Sequence, residues 1–284
     1  MMRRRLVSSL SALAAIFVQS VTNSPASAEE LVQFAPAAYR QSKFAQARAK
    51  LDQPASAPAK EAINSYLFKP EGMGPFPAVV LLHGCGGLGS RYGTIAGQLT
   101  TKGYIVLAVD SFGTRGIGQA CDNTMPDRRA DALGALVFLS KLPDVAADKI
   151  AMVGYSQGGI VGLQVASMQP QDIFDIPPSL HYRAAIDFYP LCRMSSDTFT
   201  VPSLILIGSA DDWTPAKDCE RLVARHKGAL LKLIIYPGAA HGFDNPANGD
   251  GKLEYGHLSK YDGDAAEKAA AEVDAFLRHM LGKS

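Results

Sequence analysis

The stretch Gly154-Tyr155-Ser156-Gln157-Gly158-Gly159, directly behind the apolar run Ile150–Val153, leaves this chain few architectures. It reads as a strand, a sharp turn and the start of a helix, which is the pattern of a nucleophile elbow. The glycines on both sides of the serine have a physical reason. At so tight a bend a β-carbon collides with the turn itself or with a neighbouring strand. A serine that merely lines a helix needs no small residue on either side. The elbow therefore predicts an exposed hydroxyl at the edge of a sheet.

The rest of the chain has the rhythm such a sheet needs. Ile63–Phe68, Ala78–Leu82, Tyr104–Val109, Ile150–Val153, Ala184–Phe188, Leu204–Ile207 and Lys232–Tyr236 read as strands. Arg91–Lys102, Asp127–Leu142, the segment from the elbow to about Met168, and Asp264–Leu281 have helical spacing. Short apolar runs alternating with helices mean an α/β fold, a parallel sheet covered on both faces. The irregular segments 111–126, 169–183 and 242–263 follow strands or the elbow helix, where ligands gather in such sheets. There is no internal repeat and no second-domain boundary after residue 61. Residues 29–60, rich in Ala, Gln and Pro, read as an N-terminal arm, with an amphipathic helix expected over Ala37–Leu51.

The first 28 residues have the composition of a targeting segment. Arg3, Arg4 and Arg5 precede a mostly apolar stretch, Leu6–Val18, and Ala26-Ser27-Ala28 is an A-x-A cleavage site before Glu29. The apolar stretch is too short for a comfortable membrane span. A signal peptide over 1–28 and a periplasmic or secreted chain, without a stable membrane span after cleavage, are expected. Loss of the three arginines takes the formal charge from +1 to −2. No basic run lies elsewhere, so nucleic acid is not an expected partner. Cys85, Cys121, Cys192 and Cys219 all follow the cleavage site, and four cysteines allow three pairings. In an oxidising compartment an even set is expected to be bridged. None has zinc spacing with another Cys or His, so no metal is expected.

A serine hydroxyl becomes a nucleophile only when a base takes its proton. In this architecture the base is a histidine, oriented by a carboxylate, in the chain order Ser, Asp/Glu, His. Asp211 follows the strand Leu204–Ile207, and His241 follows the strand Lys232–Tyr236. Ser156, Asp211 and His241 are the expected catalytic residues, with Asp212 a rival for the acid. Among the other histidines, His83, His181, His226, His257 and His279, none follows the last strand in a glycine-rich turn. Asp110 also ends a strand, but it precedes the serine. The oxyanion of a tetrahedral intermediate needs backbone N–H donors. Gln157, next to the serine, is the first expected donor. The second lies in His83-Gly84-Cys85-Gly86-Gly87, with Cys85 preferred to Gly86. Tyr155 and Trp213 are expected substrate contacts. This chemistry calls for no cofactor.

These residues resemble the dienelactone hydrolase family within the α/β-hydrolases, over roughly residues 61–282. The marks are Pro77–Gly84, Asp110-Ser111-Phe112-Gly113, Gly154–Gly159, Gly208–Pro215 and Ala240-His241-Gly242-Phe243. The resemblance implies an eight-stranded, mostly parallel sheet without a large lid domain. It also implies hydrolysis of small carboxylic esters or lactones through an acyl-enzyme. The founding members use a cysteine nucleophile and a glutamate in the loop after the third strand; this chain has Ser156 and Gly84. They hold a substrate carboxylate with arginines, so the resemblance makes Arg115 an expected substrate contact, the alternatives being a solvated loop position or a structural pair with Asp110 or Asp122; after His241 this chain reads Gly242-Phe243-Asp244-Asn245, with no arginine there. The strand order that the resemblance implies places Cys85 beside Cys121 and Cys192 beside Cys219, and those two bridges are expected. A free Cys85 thiol beside Ser156 is the alternative. A peptidase of this fold usually carries a cap or propeller, for which the chain leaves no room. A non-catalytic binding module would lack a member of the triad. Transfer of the acyl group to an acceptor other than water stays open.

Overall fold

The protein is described by a computed structural model covering residues 29–41, 62–122, 125–226 and 228–282. Twelve strands are present among these residues: β1 Glu29–Phe34, β2 Ala38–Tyr39, β3 Ile63–Phe68, β4 Phe76–Leu82, β5 Ile105–Val109, β6 Val145–Tyr155, β7 Phe174–Asp175, β8 Ala184–Phe188, β9 Ser203–Gly208, β10 Leu231–Tyr236, β11 Lys252–Glu254 and β12 His257–Ser259. The helices are α1 Ser90–Thr101, α2 Arg129–Leu139, α3 Gln157–Ala166, α4 Pro170–Ile173, α5 Ala216–Arg225 and α6 Gly263–Leu281.

Eight strands form one sheet in the order β1-β3-β5-β4-β6-β8-β9-β10. Every neighbouring pair from β5 to β10 is parallel; β3 is antiparallel to both β1 and β5. The central strands are apolar without alternation because both faces are covered. Val79 to Leu82, Ile105 to Leu107 and Leu204 to Ile207 are wholly buried. Helices α1 and α6 lie over the face that presents Val153, Tyr155 and Phe188. On the other face, α3 sits over Asp187 and packs beside α2. Helix α6 is closed at both ends: Asp262 Oδ1 accepts from the Ala265 N–H at 3.0 Å, and Gly282 ends it with φ of 62°.

Two segments differ from the sequence reading. The start of the arm is part of the main sheet: Glu29–Phe34 is its edge strand, in register from Glu29↔Phe68 to Phe34↔Ile63. The pairing covers the free hydrogen-bonding edge of β3. Phe34 is buried and stacks on Phe138 of α2 at 5.8 Å. The helix expected over 37–51 does not begin at Ala37, because Ala38–Tyr39 is strand, paired with Phe174–Asp175. Residues 42–61, the rest of that expectation, lie outside the described residues. The second difference is a hairpin, β11–β12, inside the segment 242–263. Its two-residue loop, Tyr255-Gly256, has φ of 53° and 86°, the twist that a tight hairpin with two positive φ values requires.

Candidate active site

Strand β6 ends at Tyr155 and α3 begins at Gln157, so Ser156 alone makes the turn. Its φ of 52° lies in the region that favours glycine. Such strain persists only where the surroundings enforce it, and it concentrates at functional positions. Here the Ser156 N–H donates to the Phe188 carbonyl at 2.9 Å, and both flanks are crowded. A β-carbon at position 154 would stand 2.3 Å from the Gly158 oxygen, and one at position 158 would stand 2.3 Å from the Leu82 oxygen. The elbow therefore depends on both glycines.

His241 follows β10 and faces the serine: its Nε2 is 3.1 Å from Ser156 Oγ. Its Nδ1 is 2.8 Å from Asp211 Oδ2. Asp211 follows β9 in a turn that folds its carboxylate back on its own backbone. Oδ1 accepts from the N–H groups of Trp213 at 3.0 Å and Thr214 at 2.8 Å. The Thr214 hydroxyl lies 2.9 Å from Asp211 Oδ2, 3.2 Å from His241 Nδ1 and 3.0 Å from the Tyr189 oxygen. Asp211 and His241 are buried, whereas the rival acid Asp212 is mostly exposed and receives the Leu258 N–H at 3.2 Å. Geometry thus separates two adjacent aspartates that the sequence left competing. A hydroxyl, an imidazole and a buried carboxylate in this order can move a proton off the serine and stabilise the resulting imidazolium.

The remaining histidines take other positions. His83 is wholly buried; its Nδ1 is 2.7 Å from the Gly84 oxygen, which can only accept, so that nitrogen carries the hydrogen. Burial, and then the Arg128 charge, push its pKa well below the usual histidine range. His257 stacks on Trp213 at 5.2 Å and is 3.6 Å from Asp212.

The loop after β4 approaches the serine from the other side. Gly84, Cys85 and Gly86 line the same cavity, of about 240 Å³, as Ser156 and His241. The Cys85 and Gln157 N–H groups have no acceptor among the described residues. The loop is tied down around Cys85: Gly84 N–H donates to Tyr92 Oη at 2.8 Å, and Cys85 O accepts from Ala120 N–H at 2.8 Å. Cys85 is bridged to Cys121, and Cys192 to Cys219; no described cysteine is free.

Tyr155 and Trp213 line the cavity, with Trp213 4.9 Å from the His241 ring. Arg115 does not line it, which corrects the expected substrate contact. Its guanidinium makes two bonds to Asp131 of α2, at 2.7 and 2.8 Å, and one to the Ser111 oxygen. Asp131 is fully buried, so it holds this arginine where a forked cation can satisfy both its oxygens. The cation that does line the cavity is Arg91, of α1. It pairs with Asp244 at 2.7 Å, and Asp244 also accepts from Tyr189 Oη at 2.8 Å. Hairpin residues Glu254, Tyr255 and Ser259 line the cavity as well. Arg91, Thr214 and the hairpin went unread in the sequence; the Thr214-Pro215 end of the acid turn was the one local hint. A larger cavity, of about 420 Å³, lies beyond Arg91 and Tyr155 between α1 and α6, away from Ser156. Among the described residues, no His, Cys, Asp or Glu cluster could hold a metal ion, and no helix is long and apolar enough to cross a membrane.

Comparison with known proteins matches this arrangement to one family. A protein of Bradyrhizobium sp. described as "Probable 2-oxo-3-(5-oxofuran-2-ylidene)propanoate lactonase" is 26% identical over 195 residues, covering 63% of this chain and 78% of that protein. A dienelactone hydrolase-like promiscuous phosphotriesterase from metagenomic libraries superimposes with a TM-score of 0.62 at 19% identity, covering 89% of this chain and 99% of that one. A propionate-bound thermophilic esterase of Thermogutta terrifontis gives 0.58 at 22% identity, covering 76% and 89%. The two solved structures share the fold. The family model for dienelactone hydrolases matches residues 63–281, from β3 to the last residue of α6, and so spans the elbow, the acid turn and the histidine loop alike. On that match the chain belongs to the dienelactone hydrolase family.

Proposed function

We propose that this protein is an exported serine hydrolase that cleaves small carboxylic esters or lactones through an acyl-enzyme on Ser156. The observation that carries the reading is the continuous path Ser156 Oγ, His241 Nε2, His241 Nδ1, Asp211 Oδ2, with steps of 3.1 and 2.8 Å across the imidazole. His241 takes the proton as Ser156 attacks the carbonyl, and Asp211 stabilises the charged ring. The Cys85 and Gln157 N–H groups, which have no other acceptor among the described residues, receive the oxyanion. His241 then protonates the leaving alcohol, and water repeats the sequence in reverse. The relative named as a lactonase and the neighbour named as an esterase support an ester or lactone bond as the target.

Export is supported by two disulfides, which persist in oxidising compartments. The same reading gives a signal peptide over 1–28, an N-terminal segment over 29–60 whose strand β1 is the edge of the hydrolase sheet, and the rest of the hydrolase domain from 61. The catalytic assignment is tested with Ser156→Ala and a short-chain aryl ester. Turnover is expected to fall by at least about 10³-fold with the melting temperature retained, and labelling by a fluorophosphonate is expected to vanish. Turnover that persists in a well-folded Ser156→Ala protein overturns it.

A further inference from the structure

The oxyanion loop and the elbow share a fully buried cation behind them. Arg128, the residue before α2, is 0% exposed. Its Nη1 donates to the His83 oxygen at 2.9 Å and reaches Gln157 Oε1 at 3.4 Å. Gln157 Nε2 donates in turn to the Ala120 oxygen at 3.1 Å, and the Ala120 N–H to the Cys85 oxygen at 2.8 Å. One side chain therefore reaches both segments that carry the candidate oxyanion donors.

The charge of Arg128 is poorly neutralised. Its Nε and Nη2 are buried without a hydrogen-bond partner among the described residues, and its guanidinium carbon lies 5.1 Å from the centre of the Phe112 ring. Asp131, three residues on, and Asp110 attract this charge from a distance, but Asp131 is bonded to Arg115 instead. Burial lowers the Arg128 pKa to about 10, which leaves it a cation at neutral pH. An ion taken out of water costs several kcal/mol, and an apolar side chain of similar volume generally fills such a place at lower cost. The cost is accounted for if the charge acts where negative charge develops, in a dry site where a fixed cation has a strong effect.

We propose that Arg128 is the positioning residue of the oxyanion hole: it clamps the His83–Cys85 loop to the elbow and sets a fixed positive potential behind the two N–H donors. The proposal rests on the acyl-enzyme reading of Ser156. It requires loss of Arg128 to weaken the transition state and spare substrate binding.

The test uses the oxidised chain with p-nitrophenyl acetate and with a ¹³C-labelled trifluoromethyl ketone, whose adduct on Ser156 carries an oxyanion. Arg128→Met is expected to lower kcat by about 10- to 100-fold, with KM changed less than about threefold. The hemiketal oxyanion pKa, read by ¹³C NMR, is expected to rise by about one unit or more. Arg128→Lys is expected to recover part of kcat. The proposal is overturned if folded Arg128→Met keeps kcat within about twofold, or if kcat falls while the hemiketal pKa stays in place. If Arg128→Met does not fold, Gln157→Met decides, since it removes the Oε1 contact and keeps the backbone donor. It is expected to lower kcat by about three- to tenfold, and an unchanged kcat overturns the clamp. A wild-type chain that neither hydrolyses the ester nor takes a fluorophosphonate refutes the acyl-enzyme reading, and this inference with it. A wild type that is labelled, beside an unaffected Arg128→Met, refutes the Arg128 role alone.

Discussion

The two sides of Ser156 are held in different ways. On the acid side, the Asp211 carboxylate is fixed by N–H groups two and three residues ahead of it and by the Thr214 hydroxyl, all within one turn. On the oxyanion side, the restraints come from far along the chain: His83 to Arg128 over 45 residues, Gln157 to Ala120 over 37 and Cys85 to Cys121 over 36. An aspartate can bind its own downstream backbone, so its turn needs no outside help. A loop with glycines at 84, 86 and 87 has few side chains with which to hold itself, and glycine has the most backbone freedom to lose. The two sides should therefore respond differently to damage, the acid side in chemistry alone and the oxyanion side in stability as well.

The largest expected effect is on the acid side. Asp211→Asn keeps the shape of the turn but presents an amide where His241 Nδ1–H needs an acceptor. The wrong tautomer is then favoured, and kcat should drop by roughly 10⁴-fold. The melting temperature should move little, because Oδ1 of the amide still accepts the same two N–H groups. A rate loss matched by loss of the folded state would break the contrast.

The disulfides give the next test. Each closes a loop, of 36 residues for Cys85–Cys121 and 27 for Cys192–Cys219. Chain entropy assigns about 4 kcal/mol of stability to each. Replacing either pair by alanine should thus lower stability to a similar extent by chemical denaturation. Activity should separate them. Without Cys85–Cys121, kcat should fall by about tenfold as the oxyanion loop loosens; without Cys192–Cys219 it should stay within about twofold. Equal losses of kcat would show that the two sides are not held independently.

What the sequence made legible follows the same divide. Ser156, Asp211 and His241 could be read because each stands a few residues beyond an apolar strand, in an order that the fold prescribes. The sheet was legible for a related reason, its inner strands being apolar throughout. Arg128 and the Arg115–Asp131 pair could not be read. Their partners are set by which side of α2 meets loops distant in sequence, and no local pattern encodes that. The start of the helix expected at Ala37 misled because Ala-rich spacing suggests a helix, while backbone pairing of Ala38–Tyr39 with Phe174–Asp175 favours strand. The β11–β12 hairpin escaped because strands of three residues are shorter than any apolar run, and Tyr255-Gly256 was its one signal.

The smallest expected effect concerns a residue that belongs to neither side. Asp187 of β8 is wholly buried beneath α3, where a β-carbon on Gly162 would meet its Oδ1 at 1.9 Å. Neither of its oxygens has a hydrogen-bond partner among the described residues. Burial therefore pushes its pKa well above the usual carboxylate range. The folded protein keeps a proton here that the unfolded chain releases once the pH passes the ordinary carboxylate range. By linkage, this group's stability is fully present below that range and is lost as pH rises toward the folded pKa. Asp187→Asn removes the titration but leaves an unpartnered amide at every pH, so the readout is the slope of melting temperature against pH and not its absolute value. The slope between pH 5 and pH 8 should flatten, by about 2–4 °C for each kcal/mol recovered at the upper end. kcat should be unaffected at both ends, since Asp187 touches neither the acid turn nor the oxyanion loop. An unchanged slope would mean that Asp187 ionises in the folded protein. A changed kcat would mean that the packing under α3 reaches Ser156, and the two-sided picture would then need a third support beneath the elbow.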